Sequence, residues 1–287
     1  MPYQSVFKPG LFAGQTLIVT GGGSGIGRCT AHELASLGAK VLITGRKKEK
    51  LDQVVAEIKE DGGTALGYAF DIRDEEAVKS AVKQMLAEHG VVSGLVNNAG
   101  GQFPSPLALS SKKGWEAVVA NNLTGGFLVA RELFNQCLKK SGGAIVNMLA
   151  DMWGGMPGMA HSGAARAGML NLTQTAAVEW GSSGVRVNAV APGWVASSGM
   201  DHYDPSFISE VIPKMKSYVP LHRMSEEAEV SSAIVFLLSP GAAYISGTCI
   251  NIDGASSRNS RLFPLLPHDK SKPYAGFHRT VKPKAIK

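Results

Sequence analysis

Three side chains that could take part in a reaction lie close together in GMAHSGAARAGM, residues 158–169. The His161 imidazole titrates near neutrality and can act as an acid or a base. The Ser162 hydroxyl can orient an oxygen but is a poor proton source, and Arg166 stays charged without relaying a proton at ordinary pH. Because adjacent helix residues point about 100° apart, we expect that His161 and Ser162 do not both face the same ligand.

A glycine-rich loop carries the strongest binding signal. In TLIVTGGGSGIGRCTAHELASLG an apolar strand ends at Thr20, the segment 21–27 follows, and a helix begins at once. Glycines let the backbone approach a pyrophosphate, whose charge is met by free N–H groups and the helix dipole. The strand before and the helix after supply the context that this motif requires, so the loop predicts dinucleotide binding.

The choice between NADP(H) and NAD(H) depends on the residues after the second strand, ITGRKKEK. An acidic residue here would bind the ribose 2′-hydroxyl and repel a 2′-phosphate. The chain offers Arg46 and Lys47 instead, and an arginine fork suits a phosphate. Residues 46–50 can also be interpreted as only the solvent-exposed first turn of a helix, and this alternative stays open. The sequence nevertheless favours NADP(H) over NAD(H).

Apolar runs alternate with helical spacing along most of the chain. Strands are predicted over 16–20, 40–44, 65–70, 94–97, 144–149, 185–190 and 249–252, and helices over 26–37, 47–60, 74–89, 112–140, 161–181 and 226–238. Short, nearly continuous apolar strands of this kind are typical of a buried parallel sheet. The fold prediction is an α/β, single-domain Rossmann fold with a seven-stranded doubly wound sheet and helices on both faces.

The segments outside this alternation divide the chain into three parts. Residues 1–15 form a lead-in, residues 16–256 the Rossmann domain, and residues 257–287 an extended tail. The long irregular segment 193–224 follows the sixth strand, where a substrate loop is expected. The tail is predicted to lie over a surface or a neighbouring subunit.

Composition excludes several classes of protein. From residue 261 onward there are seven Lys/Arg and one Asp, whereas the remaining 260 residues balance 22 basic against 22 acidic groups. The positive charge is therefore a property of the tail and not a nucleic-acid footprint, although a tail site for an anionic substrate stays open. The three cysteines, Cys29, Cys137 and Cys249, have no metal or disulfide spacing, and no membrane span is evident. A cytoplasmic protein is expected.

With these features, the chain resembles the short-chain dehydrogenase/reductase family over residues 11–255. The spacing Thr-Gly-x-x-x-Gly-x-Gly is that family's own, and NNAG at 97–100, NNLTGGF at 121–127, APGWVASS at 191–198 and INIDGA at 250–255 follow in its order. Finer details resemble the branch of peroxisomal trans-2-enoyl-CoA reductases and bacterial citronellol/citronellal dehydrogenases. The helix over 161–181 resembles the one with which these enzymes pair subunits, so a dimer or tetramer is expected.

The resemblance implies roles for particular residues. The implied cofactor-binding set is Gly21, Ser24, Gly25, Ile26, Gly27, Arg46, Lys47, Asp71, Ile72, Asn98, Ala99, Gly100, Arg166, Pro192, Gly193 and Ser197. The candidate catalytic set is Asn122, Ser162 and Arg166 at the family's positions, together with His161 and Asp151 as candidate acid–base substitutes, with no metal.

The catalytic positions depart from the family pattern. Asn122 matches the family's asparagine, but Ser162 stands at its tyrosine position, Arg166 at its lysine position and Ala150 at its serine position, beside Asp151. Positioned acid–base catalysis is worth roughly 10²–10⁴-fold, and interconversion of an alcohol and a carbonyl depends on it directly. Reduction of an α,β-unsaturated thioester depends on it less, because donors can stabilise the enolate and the α-carbon can be protonated from water.

Three hypotheses follow from these departures. The first is an NADP(H)-dependent reductase of an enoyl-CoA-like substrate. The second is a citronellol-like terpenoid or fatty alcohol/aldehyde dehydrogenase, in which His161 or Asp151 replaces the tyrosine. The third is a cofactor-binding protein without turnover.

Overall fold

The structure is a computed structural model that describes residues 2–203, 205–260 and 262–283. Seven parallel strands form one sheet in the order β3-β2-β1-β4-β5-β6-β7. The strands are β1 Thr16–Thr20, β2 Lys40–Gly45, β3 Thr64–Ala69, β4 Gly94–Asn97, β5 Gly143–Met148, β6 Val185–Pro192 and β7 Cys249–Ile252. The predicted doubly wound parallel sheet is confirmed. Because the strand order reverses between β1 and β4, a crevice opens there at the carboxyl edge of the sheet.

Helices cover both faces of this sheet. They are α1 Gly25–Ser36, α2 Lys48–Glu60, α3 Glu75–His89, α4 Lys112–Val119, α5 Gly125–Leu133, α6 Lys139–Ser141, α7 Ala160–Glu179, α8 Ile212–Met215 and α9 Glu227–Leu238. Leu17 and Val19 of β1 pack on one face with α1, α2 and α9, whereas Ile18 packs on the other face with α3 and α5. Successive side chains of this buried strand therefore pack into two separate hydrophobic cores, one on each face of the sheet. No helix in the described ranges is both long and apolar enough to cross a membrane.

Two predicted segments differ from the structure. The predicted helix over 112–140 is interrupted by π-helical turns at Ala120–Thr124 and Phe134–Leu138. The first of these turns contains Asn122, and such insertions are frequent at functional sites. The segment 193–224, predicted to be irregular, contains Ser198–His202, Phe207–Val211, α8 and Lys216–Tyr218 as short helical turns. Helical periodicity is undetectable in elements this short.

The described part of the tail returns to its own chain. Phe277 is buried, with its ring 5.8 Å from that of Tyr3 and 5.0 Å from the Arg28 guanidinium carbon. Arg279 forms ion pairs with Glu60 and Asp61, both at 2.8 Å. Arg279 is therefore engaged by acidic residues of the fold, and Lys282 likewise pairs with Glu226. Arg261 and residues 284–287, which carry part of the predicted tail charge, lie outside the described residues.

Candidate active site

The glycine-rich loop joins β1 to α1 with the close approach that its sequence predicts. Gly21 has a φ of 67°, and a Cβ there would lie 2.9 Å from the Ala99 Cα. A Cβ at Gly27 would lie 2.4 Å from the Gly21 carbonyl oxygen. Ser24 precedes α1 in an extended conformation and makes no side-chain cap, so this helix terminus remains open to an anionic ligand.

Thr20 fixes this loop against the end of β4. Its Oγ1 accepts the backbone N–H groups of Asn98 and Ala99, both at 2.9 Å. The Asn98 side-chain amide donates to the Thr20 carbonyl oxygen at 2.9 Å. The floor of the crevice is therefore held by bonds between β1 and β4.

Positive charge gathers at the end of β2 and β3. Arg46 and Lys47 are exposed immediately after β2. Arg73 forms an ion pair with Asp71 at 2.5 Å, and its hydrogen bonds lower the pKa of that carboxyl to about 2, with a smaller contribution from the charge of Arg46. Arg73 is a basic residue at this end of the crevice that the sequence motifs do not identify, because it lies just beyond the residue that the family motif marks.

Asn122 links the π-helical turn to the loop after β4. Its Oδ1 accepts the Gly101 N–H at 2.8 Å, and its Nδ2 donates to the Gly101 carbonyl at 2.9 Å. A Cβ at Gly100 would lie 2.6 Å from the Asn122 Oδ1 and 2.7 Å from the Arg166 Nη2. The glycine at position 100 is therefore required for these two polar side chains to meet behind the loop.

Arg166 places a buried cation at the wall of the crevice. Its Nη1 donates to the Met148 carbonyl at 2.6 Å, and its Nη2 contacts the Asn122 Oδ1 at 3.4 Å. Desolvation lowers its pKa to about 10, so the guanidinium is still charged at neutral pH. Within the described ranges it forms no ion pair, and its Nε has no hydrogen-bond partner. A buried cation without a counter-ion can stabilise negative charge on a ligand.

Ser162 is committed to a residue that the sequence motifs do not mark. Its Oγ donates to the Gln102 Oε1 at 2.5 Å, and the Ser162 side chain is fully buried. Because the Gln102 oxygen accepts this bond, its amide N–H₂ is the end that can donate elsewhere. Gln102 lines the crevice, whereas Ser162 does not. Only the fold reveals this contact, since the two residues are 60 positions apart.

His161, like Ser162, is not among the residues that line the crevice. Its Nδ1 accepts the Ser162 backbone N–H at 2.8 Å, and its ring packs edge-on against Phe103 at 4.7 Å. Burial lowers the pKa of the imidazole, against a smaller opposing effect of the Met159 backbone. A neutral, packed imidazole is a weak proton donor at pH 7.

Asp151 lies on the other side of the crevice. Its Oδ2 accepts the Ser256 hydroxyl at 2.6 Å, and its backbone N–H donates to the Pro192 carbonyl at 2.9 Å. The carboxylate is therefore held at the junction of β5, β6 and the segment after β7.

These elements enclose a cleft of about 840 Å³. Of the residues predicted from sequence, its walls include Gly21, Ser24, Ile26, Asn98, Ala99, Gly100, Asp151, Arg166, Pro192, Gly193 and Ser197. Gly25, Gly27, Arg46, Lys47, Asp71, Ile72, Asn122, His161 and Ser162 are not part of these walls. The open helix terminus, the basic groups after β2 and the uncompensated Arg166 together fit an anionic dinucleotide.

The fold agrees with comparisons to known proteins. A family sequence model described as Enoyl-(Acyl carrier protein) reductase matches residues 21–256. The chain belongs to the short-chain dehydrogenase/reductase family, as its motifs predict.

Particular relatives carry different activities in their names. A probable 2,4-dienoyl-CoA reductase of Bacillus subtilis is 37% identical over 85% of this chain and 97% of its own length. A peroxisomal 2,4-dienoyl-CoA reductase of Danio rerio is 34% identical over 88% of this chain and 85% of its own. The solved structure of a citronellol catabolism dehydrogenase of Pseudomonas aeruginosa PAO1 is 63% identical over 89% of this chain and 100% of its own, with a TM-score of 0.81. This chain is therefore similar to oxidoreductases, among them 2,4-dienoyl-CoA reductases and a citronellol catabolism dehydrogenase.

Proposed function

We propose that this protein is an NADP(H)-dependent reductase of an activated double bond, with an enoyl-thioester as substrate. The observation that carries this proposal is the buried Arg166 at the wall of the cleft, which is charged and has no counter-ion among the residues that the structure describes. Such a site favours a reaction in which negative charge develops on a substrate oxygen, as it does in an enolate.

The surrounding side chains favour the same chemistry. When bound, a reduced nicotinamide would supply the hydride that the β-carbon of the substrate accepts. Arg166 and the free amide N–H₂ of Gln102 then donate toward the thioester oxygen, where the charge collects. Ser162 holds the Gln102 amide in place through its hydroxyl and does not itself move a proton. The α-carbon takes its proton from water.

The basic residues after β2 support NADP(H). Arg46 and Lys47 are exposed. Asp71, the acidic residue of the predicted cofactor-binding set, is paired with Arg73. A 2′-phosphate therefore meets two exposed cations and a carboxylate that is already paired with Arg73. A gluconate 5-dehydrogenase from Burkholderia cenocepacia J2315, 26% identical to this chain, was solved in complex with NADP and tartrate.

A citronellol-like alcohol or aldehyde dehydrogenase is the second candidate. Its support is the 63% identity with the citronellol catabolism dehydrogenase. In this alternative Asp151 exchanges a proton with the alcohol oxygen, since it lines the cleft whereas His161 does not.

A direct test compares both reactions on one preparation, followed at the nicotinamide absorbance. The proposal predicts NADPH oxidation with trans-2-enoyl-CoA and little NADP⁺ reduction with citronellol. Alcohol-dependent NADP⁺ reduction that is lost in Asp151→Asn would replace the proposal by the second candidate. Tight NADPH binding with no turnover of either substrate would indicate a cofactor-binding protein.

A further inference from the structure

A second cavity of about 380 Å³ lies beside the main cleft. Its walls come from the end of β7 with the residues after it, and from residues 219–225. Trp194 lines both the main cleft and this second cavity. The half-buried Trp194 indole is therefore a wall that the two spaces share.

Two of the three charged residues that line this cavity, Arg223 and Glu229, neutralise each other. Arg223 forms a two-pronged contact with Glu229, with Nη1 to Oε2 at 2.7 Å and Nη2 to Oε1 at 2.6 Å. Arg223 also donates to the Ser271 hydroxyl at 2.9 Å. Because each charge already has a partner, an ionic ligand would have to compete with a bidentate ion pair.

The remaining polar side chains are engaged as well. The Asp253 carboxylate accepts the backbone N–H groups of Ala255 at 2.9 Å and Ser257 at 3.1 Å. The Asn251 amide donates to the Ser257 hydroxyl at 3.3 Å. What the walls leave unpaired is apolar surface, from Trp194, Val219, Leu221 and Ile252. Such a surface recognises an uncharged hydrocarbon.

The volume sets the size of the group that fits. At about 30 Å³ per water-sized group, the cavity of about 380 Å³ holds roughly thirteen non-hydrogen atoms. This is more than the reacting end of an enoyl-thioester requires, and it matches a segment of acyl or terpenoid chain.

We propose that the second cavity binds the distal hydrocarbon end of the substrate, while the reacting end lies at Arg166 in the main cleft. Trp194 stands between the two ends and Leu221 limits the room for the chain. This inference rests on the proposed function for the identity of the reacting end, and on the cavity itself for the chain.

The test measures binding and not turnover. Saturated acyl-CoA thioesters from butyryl to dodecanoyl are titrated by calorimetry into the protein loaded with NADP⁺. The dissociation constant is expected to fall about fourfold for each methylene that enters the cavity. Leu221→Trp enlarges a wall side chain that is 45% exposed, so the fold is expected to tolerate it. This variant should bind the longest thioesters at least tenfold more weakly and butyryl-CoA unchanged, with Leu221→Phe intermediate.

Val91→Trp is the matched control, because Val91 is 60% exposed and precedes β4, at the amino ends of the strands. Affinities that do not depend on chain length in the wild type would overturn the inference, and so would the same dependence in Leu221→Trp. Because saturated thioesters are not reduced, a failure of enoyl reduction would refute the proposed function and leave this result intact.

Discussion

Replacing Arg166 by methionine tests the proposed chemistry most directly. The guanidinium is buried at the cleft wall, with Nη1 on the Met148 carbonyl at 2.6 Å. A unit charge about 4 Å from an enolate oxygen contributes about 4 kcal/mol at an effective dielectric constant of about 20. Removing one oxyanion donor costs about 10²–10³ in kcat. We therefore expect Arg166→Met to lower kcat for a trans-2-enoyl-CoA by about 10²–10³-fold.

The variant also lowers the stability of the fold, and this effect must be separated from the effect on catalysis. The Met148 carbonyl loses its partner, which costs about 1–3 kcal/mol in the free energy of unfolding. Chemical denaturation and fluorescence titration with NADPH measure stability and cofactor affinity independently of turnover. Arg166→Lys is the control, because it keeps the charge but loses the planar fork. It should lower kcat by about tenfold, which corresponds to one hydrogen bond of roughly 1.5 kcal/mol.

One result would refute this reasoning. If folded Arg166→Met binds NADPH and reduces the enoyl-thioester with a kcat/KM within threefold of the wild type, the cation does not stabilise the transition state. A loss confined to NADPH affinity, with kcat unchanged, would instead assign Arg166 to cofactor binding alone.

Three further predictions concern other parts of the molecule. Gln102→Leu, which removes the amide donor held by Ser162, should lower kcat by about tenfold at unchanged NADPH affinity; equal rates would remove Gln102 from the site. Arg46→Glu should shift the ratio of kcat/KM for NADPH over NADH by at least about tenfold toward NADH, and an unchanged ratio would assign the phosphate to other residues. Burial raises the pKa of Glu227 to about 7, so stability is fully present below the ordinary pKa of 4.5 and is lost as pH rises through 7. Urea unfolding should show Glu227→Gln to be more stable than the wild type at pH 8, by up to about 3 kcal/mol, and equal to it at about pH 3.5, where the carboxyl is protonated in both the folded and the unfolded state.

The sequence predicts the sheet well because its strands are buried on both faces. Each run of apolar residues between glycines or charged residues forms one buried strand. The seven predicted strands match the observed ones within two residues at either end. The glycine-rich loop is also predictable, since the residues that need close approach are adjacent in the chain. These features are set by local sequence.

The contacts that define the candidate site are not local. The bond between Ser162 and Gln102 joins residues 60 positions apart, and Arg166 meets the Met148 carbonyl across the β5–α7 connection. Whether Arg166 has a counter-ion depends on every element around it, which spacing cannot reveal. The π-helical turn that carries Asn122 adds a backbone irregularity that helical periodicity does not report.

The tail also has a consequence for the order in which the protein assembles. Gln4 donates its N–H to the Gly276 carbonyl at 2.9 Å, and its own carbonyl accepts the Tyr274 hydroxyl 270 positions away. During synthesis the amino-terminal segment therefore waits for almost the whole chain to leave the ribosome before it finds these partners. Until then, the pocket that Phe277 fills between Tyr3 and Arg28 exposes apolar surface. Apolar surface that stays exposed this late in synthesis is the kind of surface that chaperones protect.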